Sequence, residues 1–229
     1  MALIKLGGML AEIRGSVGGA TFARNRGGAY VRNRSVPVNP QSVDQSRVRQ
    51  LLADLTNRWT ATLTPAQREA WKVYADNVPL QNSLGESRNV SGINMYVRGN
   101  SLLQDTAGMR VDDAPEVFTV GPTFTPTISL DPVSDTLAVD DLGGFDPASE
   151  GGIGLLIQTS TPQSPGVNFF RSPFRKVSGT IITDPVTDLP AGVPLAFPIA
   201  SGQAVFVRTA SVTLDGRPGV PVVQRFLVA

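Results

Sequence analysis

From Ala114 to the end of the chain helical periodicity disappears, and this change constrains the fold more than any other feature of the sequence. Pro, Gly, Thr and Val dominate there. Strand-type runs recur between turn residues at 123–130, 136–141, 152–159, 167–171, 176–183, 204–214 and 220–228. Seven short strands punctuated in this way are the pattern of an immunoglobulin-like or fibronectin III-like β-sandwich. Without cysteine and without a tryptophan in this half, the pair of cysteines and core tryptophan of true immunoglobulin domains are missing, which favours the fibronectin-like variant. Asp215-Gly216 separates the last two runs and signals a hairpin. In the run before it, Phe206, Arg208, Ala210 and Val212 alternate with Val205, Val207 and Thr209, so one set is expected in the core.

Upstream, residues 39–113 read as about three helices. Ser42 with Gln45, or Asn39 with Pro40, caps the first, on which Val48, Leu51, Leu52, Leu55 and Trp59 form one apolar stripe. Thr64-Pro65-Ala66-Gln67 is a capping box with proline at the first helical position, followed by an apolar face of Ala70, Trp71, Tyr74 and Val78. The short link around Thr62–Leu63 predicts an antiparallel helical hairpin with Trp59 and Trp71 near its closed end, both as core residues. After a polar loop over 80–90, Ser91 opens a third helix with Ile93, Tyr96, Val97, Asn100 and Leu103 on one face, ending near Gly108. Gly99 weakens that helix, and Asn100 is expected to be satisfied by backbone groups.

Residues 1–38 form a basic, glycine-rich arm. Its stretch 15–34 holds Phe22 and Tyr30 as its only large aromatic residues, and Arg14, Arg24, Arg26, Arg32 and Arg34 lie in or beside it. Such a segment cannot bury enough surface to fold alone. Short runs at 9–14, 20–24 and 29–34, the last two joined by a glycine-bearing turn at 25–28, predict a β-hairpin. In it Phe22 and Arg24 share one face, whereas Tyr30, Arg32 and Arg34 share the other. Proline at positions 37 and 40 makes 35–40 an extended linker. The arm is read as a strand-adding anchor on a neighbouring protein.

The net charge of +1 conceals a gradient. Residues 1–50 carry eight Lys/Arg against Glu12 and Asp44, residues 51–114 are nearly balanced, and the remainder holds ten acidic side chains against six basic ones. A basic front and a mildly acidic back suit contacts between copies, or an acidic partner for the arm. Histidine and cysteine are both absent, which excludes disulfides, thiolate metal sites and every histidine- or cysteine-based catalytic arrangement. The arm lacks the GK[ST] ending of a phosphate loop, and Asp112-Asp113 and Asp140-Asp141 lack the spacing of a calcium loop. No catalytic, cofactor-binding or metal site is therefore assigned, although a site built of carboxylates alone stays open. No apolar run is long enough to span a bilayer, and the N-terminus makes a poor secretory signal. Neutralisation of phosphates by the arm is the rival to protein contact. Arginine forks suit carboxylates between subunits, and Phe22 and Tyr30 are too few for a base-stacking platform.

Three further motifs extend this reading. Arg34-Ser35-Val36-Pro37 ends the arm, Gln45-Ser46-Arg47-Val48-Arg49 lies in the first helix, and Leu63-Thr64-Pro65-Ala66-Gln67-Arg68-Glu69-Ala70-Trp71 spans the start of the second. Together with the glycine-rich arm, these resemble uncharacterised proteins of tailed bacteriophages and prophages, in which such an arm ends in an Arg-Ser-Pro-like element and precedes a Gln-xx-Arg helix, whose second arginine stands at an offset position here, and an LT-xxQR-xxW helix. Asn168-Phe169-Phe170, residues 203–208 and Asp215-Gly216-Arg217 are similar to the same group, less specifically. The resemblance implies a virion protein, assembled in the host bacterial cytoplasm, and transfers no catalytic residue.

The expectation is thus an α+β multidomain chain: an N-terminal extended or β-hairpin arm over 1–38, a small helical hairpin region over 39–113, and a C-terminal immunoglobulin/fibronectin III-like β-sandwich over 114–229. It is expected to be a non-enzymatic capsid-associated auxiliary (decoration or cement) protein without cofactors. Its partners would be other virion proteins and copies of itself, met through Arg14, Phe22, Arg24, Arg26, Tyr30, Arg32 and Arg34. The alternatives are a neck or tail structural protein, or a DNA-binding accessory protein using the arm.

Overall fold

The computed structural model describes residues 2–3, 13–25, 28–35, 38–81, 87–171 and 173–228. It is a mixed α+β chain that divides into two compact units, Met1–Ser46 and Arg47–Ala229.

The first unit is built on an antiparallel sheet of β1 (Ala2–Leu3), β2 (Gly15–Val17), β3 (Ala20–Asn25) and β4 (Gly28–Asn33), in the spatial order β1-β4-β3-β2. The expected hairpin is β3–β4, although residues 26 and 27 of its turn lie outside the described residues. So do residues 9–12 of the run expected at 9–14; the strand described immediately ahead of the hairpin is β2. Gly18 turns β2 into β3 with a φ of 55°, a conformation that glycine adopts without a Cβ penalty. Of the two caps that the sequence allows for α1 (Val43–Ala61), Ser42 forms: its Oγ accepts the Gln45 N–H at 3.3 Å.

In the second unit the capping box of α2 (Pro65–Asn77) is complete. Thr64 Oγ1 accepts the Gln67 N–H at 3.2 Å, and Gln67 Oε1 accepts the Thr64 N–H at 2.9 Å. The apolar stripe of α1 is narrower than its sequence suggests. Leu55 is buried and Leu51 and Trp59 partly so, but Val48 and Leu52 are exposed because the packing partner covers only the line through residues four apart. Likewise Ala70 of α2 faces outward, while Trp71, Tyr74 and Val78 are buried. A polar connection carrying the two-residue strands β5 (Leu80–Gln81) and β6 (Ser87–Arg88) leads to α3 (Gly92–Ala107). Helix α2 packs chiefly on α3 rather than forming a simple hairpin with α1. Both tryptophans meet on Tyr96, whose ring centroid is 5.5 Å from that of Trp59 and 5.5 Å from that of Trp71. Asn100 is buried and satisfied by backbone, as expected: its Nδ2 donates to the Tyr96 and Val111 carbonyls, and its Oδ1 accepts the Val111 N–H at 2.7 Å. Gly108 ends the helix with a φ of 64°.

The remaining strands are β7 (Thr127–Asp131), β8 (Thr136–Asp141), β9 (Ile153–Thr159), β10 (Arg175–Ile182), β11 (Val193–Pro194), β12 (Ala204–Thr213) and β13 (Val222–Leu227). They form two antiparallel sheets, β10-β9-β12-β13 and β11-β8-β7. One apolar cluster joins them, with Ile128, Leu137 and Val139 from the smaller sheet and Ile153, Leu155, Ile157, Val205 and Val207 from the larger. Six of the seven expected strands are present. Segment 167–171 is not a strand; it crosses the sheet as a loop, with Phe170 stacked on Phe206 at 5.9 Å and the Val167 carbonyl accepting from Arg225 Nε at 2.9 Å. β11 went unforeseen because a two-residue strand ending in proline leaves no periodicity to read.

The expectation that only one set of β12 side chains is core is overturned, since both faces of this strand are buried. Val205 and Val207 enter the core shared with the smaller sheet, whereas α3 packs on β9, β10 and β12 from the other side. Small residues allow that approach: a Cβ on Gly154 would stand 2.4 Å from Thr106 Oγ1, and one on Gly179 would stand 2.3 Å from the Asp105 carbonyl oxygen. The change of composition near residue 114 thus marks a switch from helix to strand and not a break in packing. At Asp215-Gly216 the hairpin forms, closed by Thr213 N–H to Arg217 O at 3.1 Å and Gly216 N–H to Thr213 O at 3.0 Å.

Candidate interaction surface on the N-terminal sheet

Register places the arm's side chains. Across β3 and β4, Phe22 lies opposite Val31 and Arg24 opposite Ala29, while Thr21 lies opposite Arg32 and Ala23 opposite Tyr30. Residues directly opposite in an antiparallel pair share a face. One face therefore carries Phe22, Val31 and Arg24, and the other Tyr30 and Arg32. The Arg34 N–H donates to the Gly19 carbonyl at 2.8 Å, which continues the ladder and leaves Arg34 two residues beyond Arg32. The aromatic rings are half-buried, and Arg24, Arg32 and Arg34 are exposed. These three form no ion pair among the described residues. Arg14 precedes β2 and is exposed; Arg26 lies outside the described residues.

The seven residues are thus not drawn into one pocket. The hairpin separates those described on it into two faces, Phe22 with Arg24 on one and Tyr30 with Arg32 and Arg34 on the other. That arrangement suits contact with a carboxylate-bearing surface, in which the ring supplies buried area and the fork supplies bidentate hydrogen bonds. On the side away from β3, β2 pairs with no other strand among the described residues, and a strand edge of this kind can take up a further strand.

Elsewhere the acidic pairs serve structure. Asp112 receives Arg58 Nε at 2.7 Å and Arg58 Nη2 on its second oxygen, and this fork holds the Asp112 carboxyl below the usual carboxylate range. Asp140 accepts from Ser129 Oγ at 3.1 Å, and Asp141 accepts the Gly143 N–H at 2.5 Å. Among the described residues no three acidic side chains converge as metal ligands would. No described helix is long and apolar enough to cross a membrane.

Sequence reasoning missed a buried ionic knot. Arg217, with only 7% of its side chain exposed, donates to Glu150 at 2.5 Å, to Asp215 at 2.8 Å and to Thr119 Oγ1 at 3.1 Å. Burial works against its charge, but the two carboxylates more than offset this and its pKa rises. Nearby, the Tyr74 hydroxyl donates to the Thr119 carbonyl at 2.8 Å, and burial pushes its pKa up to about 12. Asp215-Gly216-Arg217 is visible in the sequence as a turn, but nothing there ties it to residues 119 and 150. No protein-family model, curated protein or solved structure matches this chain.

Proposed function

We propose that this chain is a non-enzymatic structural component of a tailed-phage virion, a capsid-associated auxiliary protein anchored to neighbouring subunits by its N-terminal arm. The observation that carries the reading is the arm's own sheet, which presents Arg24 on one face and Arg32 on the other, all outside the compact unit that holds the main cores. An anchor needs such a device: strand-paired backbone, exposed recognition groups and a strand edge to which another strand can add. The resemblance of the arm and first two helices to proteins of tailed phages and prophages supplies the setting. Many weak contacts of this kind suffice on a particle, because each tethered contact acts at high effective concentration.

We read the C-terminal sheets as a fibronectin III-like sandwich. Support comes from strand order: the third strand of the seven pairs with the fourth and sixth and the sixth with the seventh, while the first, second and fifth form the opposing sheet. Counting copies of the chain in purified particles by quantitative mass spectrometry tests the functional reading. Hundreds per particle fit a shell protein, six or twelve move the protein to the neck or tail, and none removes it from the virion.

A further inference from the structure

The second unit carries a surface complementary to the arm. Helix α2 and the segment after α3 enclose an open cleft of about 600 Å³ that includes Ala70, Val73 and Phe118, with Asp113 and Glu116 beside them. Val73 is 42% exposed and Phe118 49% exposed, an apolar floor left open to solvent. The floor is pre-shaped: Phe118 stacks on Tyr74 with ring centroids 6.4 Å apart. Gln67 Nε2 donates to Asp113 Oδ1 at 2.9 Å and fixes that carboxylate at the cleft. Neither Asp113 nor Glu116 forms an ion pair among the described residues.

We infer that this cleft receives the N-terminal hairpin of a second copy of the chain, with Tyr30 on the Val73–Phe118 floor and Arg32 and Arg34 at Asp113 and Glu116. The inference rests on the reading of the arm as a protein-contact anchor. One aromatic ring and two exposed guanidinium groups share a face of the hairpin, and an apolar floor and two exposed carboxylates share the cleft. Arginine fits a carboxylate through its planar fork, and removal of a flat apolar floor from water adds the non-directional part of the attraction. The contact joins two different surfaces, so it closes reciprocally as a two-fold exchange of arms or repeats head-to-tail as a ring or open string of copies.

Sedimentation velocity on the full chain tests this. Association is expected to grow with protein concentration and to weaken as salt rises. Reversing the arm charges (Arg32→Glu with Arg34→Glu) or the cleft charges (Asp113→Arg with Glu116→Arg) should each weaken it by about tenfold or more. An equimolar mixture of the two variants should associate again, because an acidic arm then meets a basic cleft. Val73→Asp, an exposed change on α2, should weaken association without altering the circular dichroism spectrum. A full chain that stays monomeric at every concentration, or a mixture that fails to recover association, overturns the inference. If the chain stays monomeric while removal of the arm still prevents its incorporation into particles, the inference fails and the anchoring role stands. If association recovers in the mixture while an armless chain still enters particles normally, the inference stands and the anchoring role fails.

Discussion

Gly99 of α3 faces Gly216 of the β12–β13 hairpin so closely that a Cβ on Gly99 would stand 2.2 Å from the Gly216 carbonyl oxygen. The obstructing atom is backbone, and Gly216 itself is held with a φ of 95° between Thr213 and Arg217. The glycine that weakens the third helix as a helix is thus what seats it against the hairpin.

Gly99→Ala is accordingly expected to destabilise the fold by about 1–3 kcal/mol through overpacking, despite the gain of roughly 1 kcal/mol that alanine brings to a helix interior. Gly166→Ala is the control, since an added Cβ there meets nothing within 4 Å. Urea denaturation of both variants decides the matter. A Gly99→Ala protein as stable as the parent would show that the helix and the hairpin are not in the close contact described.

The knot at Arg217 makes a second expectation. Arg217→Ala removes the cation and leaves Glu150 and Asp215 without their shared partner. Loss of one member of a buried pair costs about 3–5 kcal/mol, and because both carboxylates are partly exposed the expected loss is nearer 2–4 kcal/mol. Arg217→Lys keeps the charge but not the fork and should fall between. A loss under about 0.5 kcal/mol in chemical denaturation, the range of ordinary surface substitutions, would contradict the structural role.

Acid should weaken the fold in a defined window. The Arg58 fork lowers the Asp112 pKa, and the Thr183 hydroxyl, the Thr183 N–H and the Asp184 N–H together hold Asp188 at about 2. Both folded values lie below the unfolded carboxylate value of about 4. Their stabilisation is therefore present above that value and is lost as pH falls through the folded values. Midpoints of denaturation should decline from about pH 4 towards pH 2, and Asp188→Asn should flatten the lower part of that decline. A parent and an Asp188→Asn protein with the same acid limb would rule out this contribution.

What could be read from the sequence was local. The Thr64 capping box, the Gly108 stop, the β3–β4 hairpin and the satisfaction of Asn100 depend on neighbours within about a dozen residues, and such signals survive without tertiary knowledge. Val48 and Leu52 misled because periodicity records what an apolar face can bury, not what packs against it. β12 misled for the opposite reason, since a central strand covered on both sides does not keep the alternation of a half-exposed one. At the arm, strand alternation placed Phe22 and Arg24 against Tyr30 and Arg32 correctly. The cleft was not legible: Asp113 and Glu116 sit in a segment without periodicity, and Ala70 reads as a core residue although it lines the open floor.

The central claim is that the arm anchors this protein to a virion, and the most direct measurement is the incorporation of a chain lacking residues 1–36 into particles assembled beside the intact protein. The armless chain is expected to remain soluble and folded, because the main cores lie in the second unit, and to be absent from purified particles. Its presence in particles at the level of the intact chain would contradict the account.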